Sequence, residues 1–113
     1  MPNHKDLDRT FQALADPTRR RVLERLGRGP ATVTELAEPF EMALPSFLQH
    51  LGVLEKSRLV SSEKRGRVRT FRLEPAEVQR AEHWLHEQRS LWEHRLDQLD
   101  AYANSLSPEE EKP

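Results

Sequence analysis

Residues Thr32 to Leu59, TVTELAEPFEMALPSFLQHLGVLEKSRL, read as two short helices joined by a tight turn, and a basic stretch, SSEKRGRVRTFRL, follows almost at once. Neither helix is long enough to be stable alone, so each must bury an apolar stripe against other elements of a small domain. Thr32 opens the first helix and stands at capping-box spacing from Glu35, where each side chain can satisfy the other's backbone N–H. Val33, Leu36 and Ala37 face inward, Pro39 falls near the end, and Glu41-Met42-Ala43 makes the turn. The second helix starts around Leu44-Pro45 and runs to about Ser57. Its Phe47, Leu51 and Leu54 recur at i, i+4 and i+7 and form the core stripe. Pro45, Gln49, Gly52 and Lys56 then point directly away from the core, with Ser46, Leu48 and His50 on the flanks.

The elements on either side complete the pattern. Lys5 to Ala15 is a first helix with Leu7, Phe11, Leu14 and Ala15 on one stripe. Asp16 is placed to cap a second helix that begins at Pro17, buries Val22, Leu23 and Leu26, and ends at Gly27, Gly29 and Pro30. Leu59 to Lys64 and Arg67 to Leu73 read as two strands with Arg65-Gly66 at the turn and Phe71 and Leu73 in alternating register. Lys64, Arg65, Arg67 and Arg69 make this hairpin strongly cationic, and so many charges cannot be desolvated together. Two short helices with an outward-facing second helix, followed by a cationic hairpin, have the layout of a winged helix-turn-helix. The hairpin would then be a wing that touches phosphate or the minor groove.

From Ala76 to about Leu106 nothing breaks a helix of roughly 30 residues and about 45 Å. Trp92, Leu96, Leu99, Ala103 and Leu106 form a seam, Leu85 lies one heptad before Trp92, and Trp84 and Leu91 add a second apolar strip. So small a domain has too little surface to cover such a helix, and a two-fold dimer is the economical solution. The expected fold is therefore mainly α with a small β-hairpin wing: a dimeric winged helix-turn-helix of five helices. Residues 1–74 form the winged region, 75–106 the long dimerisation helix, and 107–113 (SPEEEKP) a disordered acidic tail.

Composition narrows the function. The 113 residues suffice for one small domain, not for a second catalytic one. The absence of Cys excludes disulfides, thiolate metal sites and thiol catalysis, and no apolar run approaches a membrane span, which fits the cytoplasm. The net charge of -1 conceals two opposed halves: 14 Lys/Arg against 9 Asp/Glu from Met1 to Arg72, and 4 against 10 from Leu73 to Pro113. The basic half holds the helix-turn-helix, as a partner of double-stranded DNA requires, and the acidic half holds the long helix. No Gly-rich phosphate loop, nucleophile motif or evident carboxylate pair supports an enzyme, and nothing calls for a cofactor.

The run LADPTRRRVLERL, then TVTELAEPFEMALPSFLQHLGVLEKSRLV, then a Gly-turned basic hairpin ending in FRL, resembles the ArsR-type winged-helix repressors over roughly residues 7 to 74. The resemblance implies a homodimeric bacterial regulator whose first and last helices pair across the dimer axis, through Leu7, Phe11, Leu85, Trp92, Leu96 and Leu99. It implies two recognition helices entering successive major grooves of a palindromic operator. The base-reading positions carry over as Leu44, Pro45, Ser46, Leu48, Gln49 and His50. Arg19 and Arg20, with Lys64, Arg65, Arg67 and Arg69 of the wing, fall to the DNA backbone. Three positions depart from the family's pattern: Ala43 replaces a small polar residue at the helix start, Leu48 stands where Ser is common, and Arg58 where Gly is usual.

Some members of that family sense metals. Here the comparison reaches only His83, His86, His94 and Asp97, two i,i+3 pairs on the last helix. The family's site begins nearer Glu74–Ala76, so these residues are out of register, and the expectation is no metal site. Two alternatives accompany the main reading: a winged-helix module that binds protein, and a metal-responsive repressor using those His residues. The sequence names no inducer.

Overall fold

The computed structural model describes residues 4–106. Five helices and three strands follow in the order α1 (His4–Leu14), α2 (Pro17–Leu26), β1 (Ala31–Thr32), α3 (Val33–Ala37), α4 (Leu44–Lys56), β2 (Val60–Arg65), β3 (Val68–Leu73) and α5 (Pro75–Leu106). This is a winged helix-turn-helix of five helices, as the sequence pattern predicts. The acidic tail expected at 107–113 lies outside the described residues.

Local signals set the boundaries. Asp16 caps α2, its carboxylate accepting the Arg19 N–H at 3.1 Å, with Pro17 at the first helical position. At α3 the capping box is complete: the Glu35 N–H donates to Thr32 Oγ1 at 3.2 Å and the Thr32 N–H to Glu35 Oε1 at 2.9 Å. Ala43 offers α4 no side-chain cap. The other end of α4 closes in a complete Schellman motif: the Leu59 N–H donates to the Leu54 carbonyl and the Arg58 N–H to that of Glu55. Leu54 and Leu59, both fully buried, make the apolar contact that accompanies the motif. The motif needs a left-handed residue, and Arg58 takes that place with φ 63°.

The core gathers one stripe from each element. Val22 and Leu26 of α2, Leu36 of α3, Phe47, Leu51 and Leu54 of α4, Leu59, Val60 and Phe71 all lie within it, and Phe40 stacks on Phe47 at a ring-centroid distance of 5.3 Å. Helix α1 differs from its predicted stripe. Thr10 and Ala13 are its buried residues, Leu7, Phe11 and Leu14 are half-buried, and Ala15, just beyond the last helical residue, is exposed. The Thr10 hydroxyl can be buried because it donates to the Asp6 carbonyl one turn back.

The sheet has a strand that alternation does not reveal. Ala31-Thr32 pairs antiparallel with Phe71-Thr70, giving the order β1-β3-β2. The hairpin turn is Gly66-Arg67, one residue later than predicted, because Arg65 pairs with Val68. Gly66, at φ 63°, supplies the left-handed first position that a two-residue turn favours.

The chain divides into two compact units between Ala81 and Glu82. The first two turns of α5 belong to the winged unit: Glu77 and Ala81 are buried, Val78 packs on the core, and Arg80 reaches Glu77 at 3.4 Å. In the second unit the apolar residues of α5 are exposed, Trp92 at 67%, Leu96 at 53% and Leu99 at 62%. No helix among the described residues is long and apolar enough to cross a membrane.

Candidate nucleic-acid interface

Helix α4 is held by Phe47, Leu51 and Leu54 and turns most of its remaining surface outward. Pro45, Ser46 and Gln49 are exposed, as are Leu44 (52%) and Leu48 (44%). Leu44 and Leu48 stand one turn apart on the helix, and a large apolar side chain left in water is informative when it has a neighbour of its own kind. From Leu44 to Glu55 the helix carries no Lys or Arg. This face therefore offers methyl groups, one hydroxyl and one carboxamide rather than charge. In a major groove, those groups match the thymine methyl and the donor–acceptor pair of adenine.

His50 is placed differently from the five residues before it on this surface. It is half-buried, and its Nδ1 lies 3.1 Å from Arg19 Nη1 and 3.7 Å from Asp16 Oδ2. His50 thus ties the recognition helix to the start of α2.

The two arginines expected on the DNA backbone are already engaged within the fold. Arg19 donates through Nε to the Ala13 carbonyl at 2.8 Å and through Nη2 to the Gln12 carbonyl at 2.9 Å. Arg20 donates to the Leu14 carbonyl at 2.8 Å. Three of the last four carbonyls of α1, which have no partner inside their own helix, are satisfied this way, with cations at the negative end of the helix dipole. Partial burial would raise the Asp16 carboxyl, but the backbone N–H groups of Arg19 and Thr18 and the charges of His50 and Arg19 outweigh it and hold Asp16 below the usual carboxylate range. The Glu35 carboxyl is also lowered, chiefly by the backbone N–H of Thr32.

The hairpin carries the exposed charge. Lys64, Arg65, Arg67 and Arg69 are all exposed, together with Val68. Arg65 contacts Glu63 across the surface at 3.2 Å. Arg69 donates to Ser62 Oγ at 2.7 Å, and Ser62 in turn donates to Glu55 Oε2 of α4 at 2.7 Å. This relay from α4 through β2 to β3 sets Arg69 relative to the recognition helix. Sequence spacing could not reveal it, because its three members lie on three elements.

On α5, His83 faces Glu87 at 3.6 Å and His86 faces Arg89 at 3.3 Å. Among the described residues no three His, Asp or Glu converge as a ligand set.

Comparison with known proteins agrees with this geometry. A helix-turn-helix domain family matches residues 14–63. The chain is 44% identical over 75 residues to the HTH-type transcriptional regulator Rv2034 of Mycobacterium tuberculosis, covering 66% of this chain and 70% of that one. It is 30% identical over 79 residues to the transcriptional repressor SdpR of Bacillus subtilis, covering 70% and 88%. A crystal structure of an ArsR family transcriptional regulator superposes with a TM-score of 0.79 at 55% identity, over 81% of this chain and 95% of that one. The chain belongs to the ArsR-type winged helix-turn-helix regulators. An ArsR-like regulator from Rhodococcus sp. RHA1 matches with a TM-score of 0.77 at 30% identity, over 88% and 94% of the two chains. Membership makes this protein a transcription regulator and not an enzyme. Within the ArsR pattern, the left-handed position that Arg58 occupies is where the family's usual Gly would sit without strain.

Proposed function

We propose that this ArsR-type protein is a homodimeric repressor that acts in the cytoplasm and reads a palindromic operator through α4. The observation that carries the reading is the uncharged N-terminal face of α4, exposed directly behind a fully buried stripe and followed by a hairpin whose Lys64, Arg65, Arg67 and Arg69 are exposed. Leu44, Pro45, Ser46, Leu48 and Gln49 meet base edges. Leu44 and Leu48 pack on thymine methyls, and Gln49 pairs with adenine. Lys64, Arg65, Arg67 and Arg69 neutralise phosphates. Arg19 and Arg20 hold the fold together, and His50 fixes the recognition helix.

The exposed seam of Trp92, Leu96 and Leu99 supports dimerisation through α5, with Leu7 and Phe11 of α1 at the same axis as the family resemblance implies. A two-fold dimer would place its recognition helices roughly 34–36 Å apart, one turn of duplex. Repression follows when the bound dimer occupies DNA that polymerase needs.

Selection of binding sites from random duplex, followed by titration against salt, tests this. The expected product is an A·T-rich palindrome with a steep negative slope of log affinity on log salt. Gln49→Ala should cost about 1–3 kcal/mol at one base pair per half-site. A winged-helix module that binds only protein would select no sequence and show no such slope. A selected site without two-fold symmetry would remove the dimer from the mechanism.

A further inference from the structure

Gly52 is the one glycine inside a helix among the described residues, and it stands within the 13-residue helix α4. A β-carbon built on it meets nothing within 4 Å outside its own helix. Its φ is not in the left-handed region, where among the described residues only Gly29, Gly66 and Arg58 are found. Neither packing nor backbone conformation therefore asks for glycine. Glycine in a helix interior is nevertheless less stable than alanine, so the free protein bears a cost that its own fold does not return.

The position supplies a reason. Gly52 lies on the line through Pro45, Gln49 and Lys56, opposite Phe47, Leu51 and Leu54. It is within one turn of both Leu48 and Gln49. Lys56, exposed and one turn further on, is the only cation of α4. A phosphate strand drawn to Lys56 would cross the helix at a residue with no side chain. We propose that Gly52 is a point of close approach between α4 and the sugar–phosphate wall of the major groove. It sets how deeply Leu48 and Gln49 reach toward the bases. The inference rests on the DNA-reading role of α4 proposed above.

Gly52→Ala and Gly52→Leu test it, because both residues favour helix. The thermal midpoint of each should equal or exceed the native value, by about 2–4 °C for alanine. Affinity for the selected operator should fall about tenfold with alanine and about a hundredfold with leucine. Affinity for random duplex should fall less, so that discrimination between the two collapses with side-chain size. Stable variants whose operator affinity stays within about twofold of native would overturn the inference, and so would a loss equal on both duplexes that tracks a lowered midpoint. If the native chain bound no duplex, the proposed function would fall with it; an indifferent series beside a native chain that binds removes Gly52 alone.

Discussion

Arg58→Gly should stabilise the protein, and the reason can be followed atom by atom. Arg58 holds the left-handed position of the Schellman motif at φ 63°, the one non-glycine residue with positive φ among those described. The motif cannot relax, because the N–H groups of Arg58 and Leu59 close the last turn of α4 and Leu59 is fully buried beneath it. A left-handed conformation costs a residue with a β-carbon roughly 1–2 kcal/mol. Glycine removes that strain but returns about 0.5–1 kcal/mol through its freer unfolded chain. The Arg58 side chain is exposed and makes no ion pair or side-chain hydrogen bond with the described residues, so its removal forfeits little. The net gain is about 0.5–1 kcal/mol, or about 2–6 °C in midpoint. Urea unfolding measures it, as a raised midpoint with an unchanged slope. Arg58→Ala is the control, since alanine keeps the β-carbon and should recover none of the strain. A glycine variant no more stable than the alanine variant would refute the argument.

Arg19→Met should lower stability by about 2 kcal/mol, since two charge-assisted bonds to α1 carbonyls and the contact with His50 go together; the salt slope of DNA binding should not change, and a flattened slope with native stability would return Arg19 to the phosphates. Asp16 is more acidic when folded than when unfolded, so its contribution is present above its ordinary value of 3.8 and lost as pH falls through the lower folded value. The stability difference between the native chain and Asp16→Asn, followed by urea midpoints from pH 7 to pH 2.5, should accordingly shrink at the acid end; a constant difference would sink the assignment. Arg65→Ala with Arg67→Ala should weaken binding to every duplex and flatten the salt slope by up to about 3.6 for the dimer, at about 0.9 per phosphate. An unchanged slope would exclude the wing tip.

What was legible in the sequence was whatever is decided within one or two turns of chain. The Thr32–Glu35 box, the Asp16 cap and the Phe47–Leu51–Leu54 stripe depend on residues three to seven apart, and all are as predicted. Elements decided at long range were not. The strand Ala31-Thr32 has only two residues, one of which also caps α3, and its partner Thr70-Phe71 is far along the chain. No alternation can show in two residues. In α1 a short helix admits two overlapping stripes, and Thr10, whose hydroxyl donates to the Asp6 carbonyl, lies on the one that is buried.

Arginine was the least legible residue type at the interface, because its charge is the same whether it meets a phosphate or a carbonyl. The cluster Arg19–Arg21 looks like a DNA-facing patch in sequence. In the fold it divides two ways: Arg19 and Arg20 close α1, and Arg21 lies over the Phe40 ring at 4.5 Å. This division has a consequence for binding. A dimer that used only Lys64, Arg65, Arg67 and Arg69 of each wing would release counterions from at most eight phosphates, for a slope near -7; adding Arg19 and Arg20 would bring it to about -11. Backbone carbonyls of α1 hold the two arginines through short, charge-assisted bonds, two from Arg19 and one from Arg20. On the proposed reading these bonds favour the smaller slope, and selectivity would then fall to the uncharged face of α4. The exposure of Leu44 and Leu48, unfavourable in the free protein, is what such a reader needs, because the thymine methyl is the one apolar group that a base edge presents in the major groove.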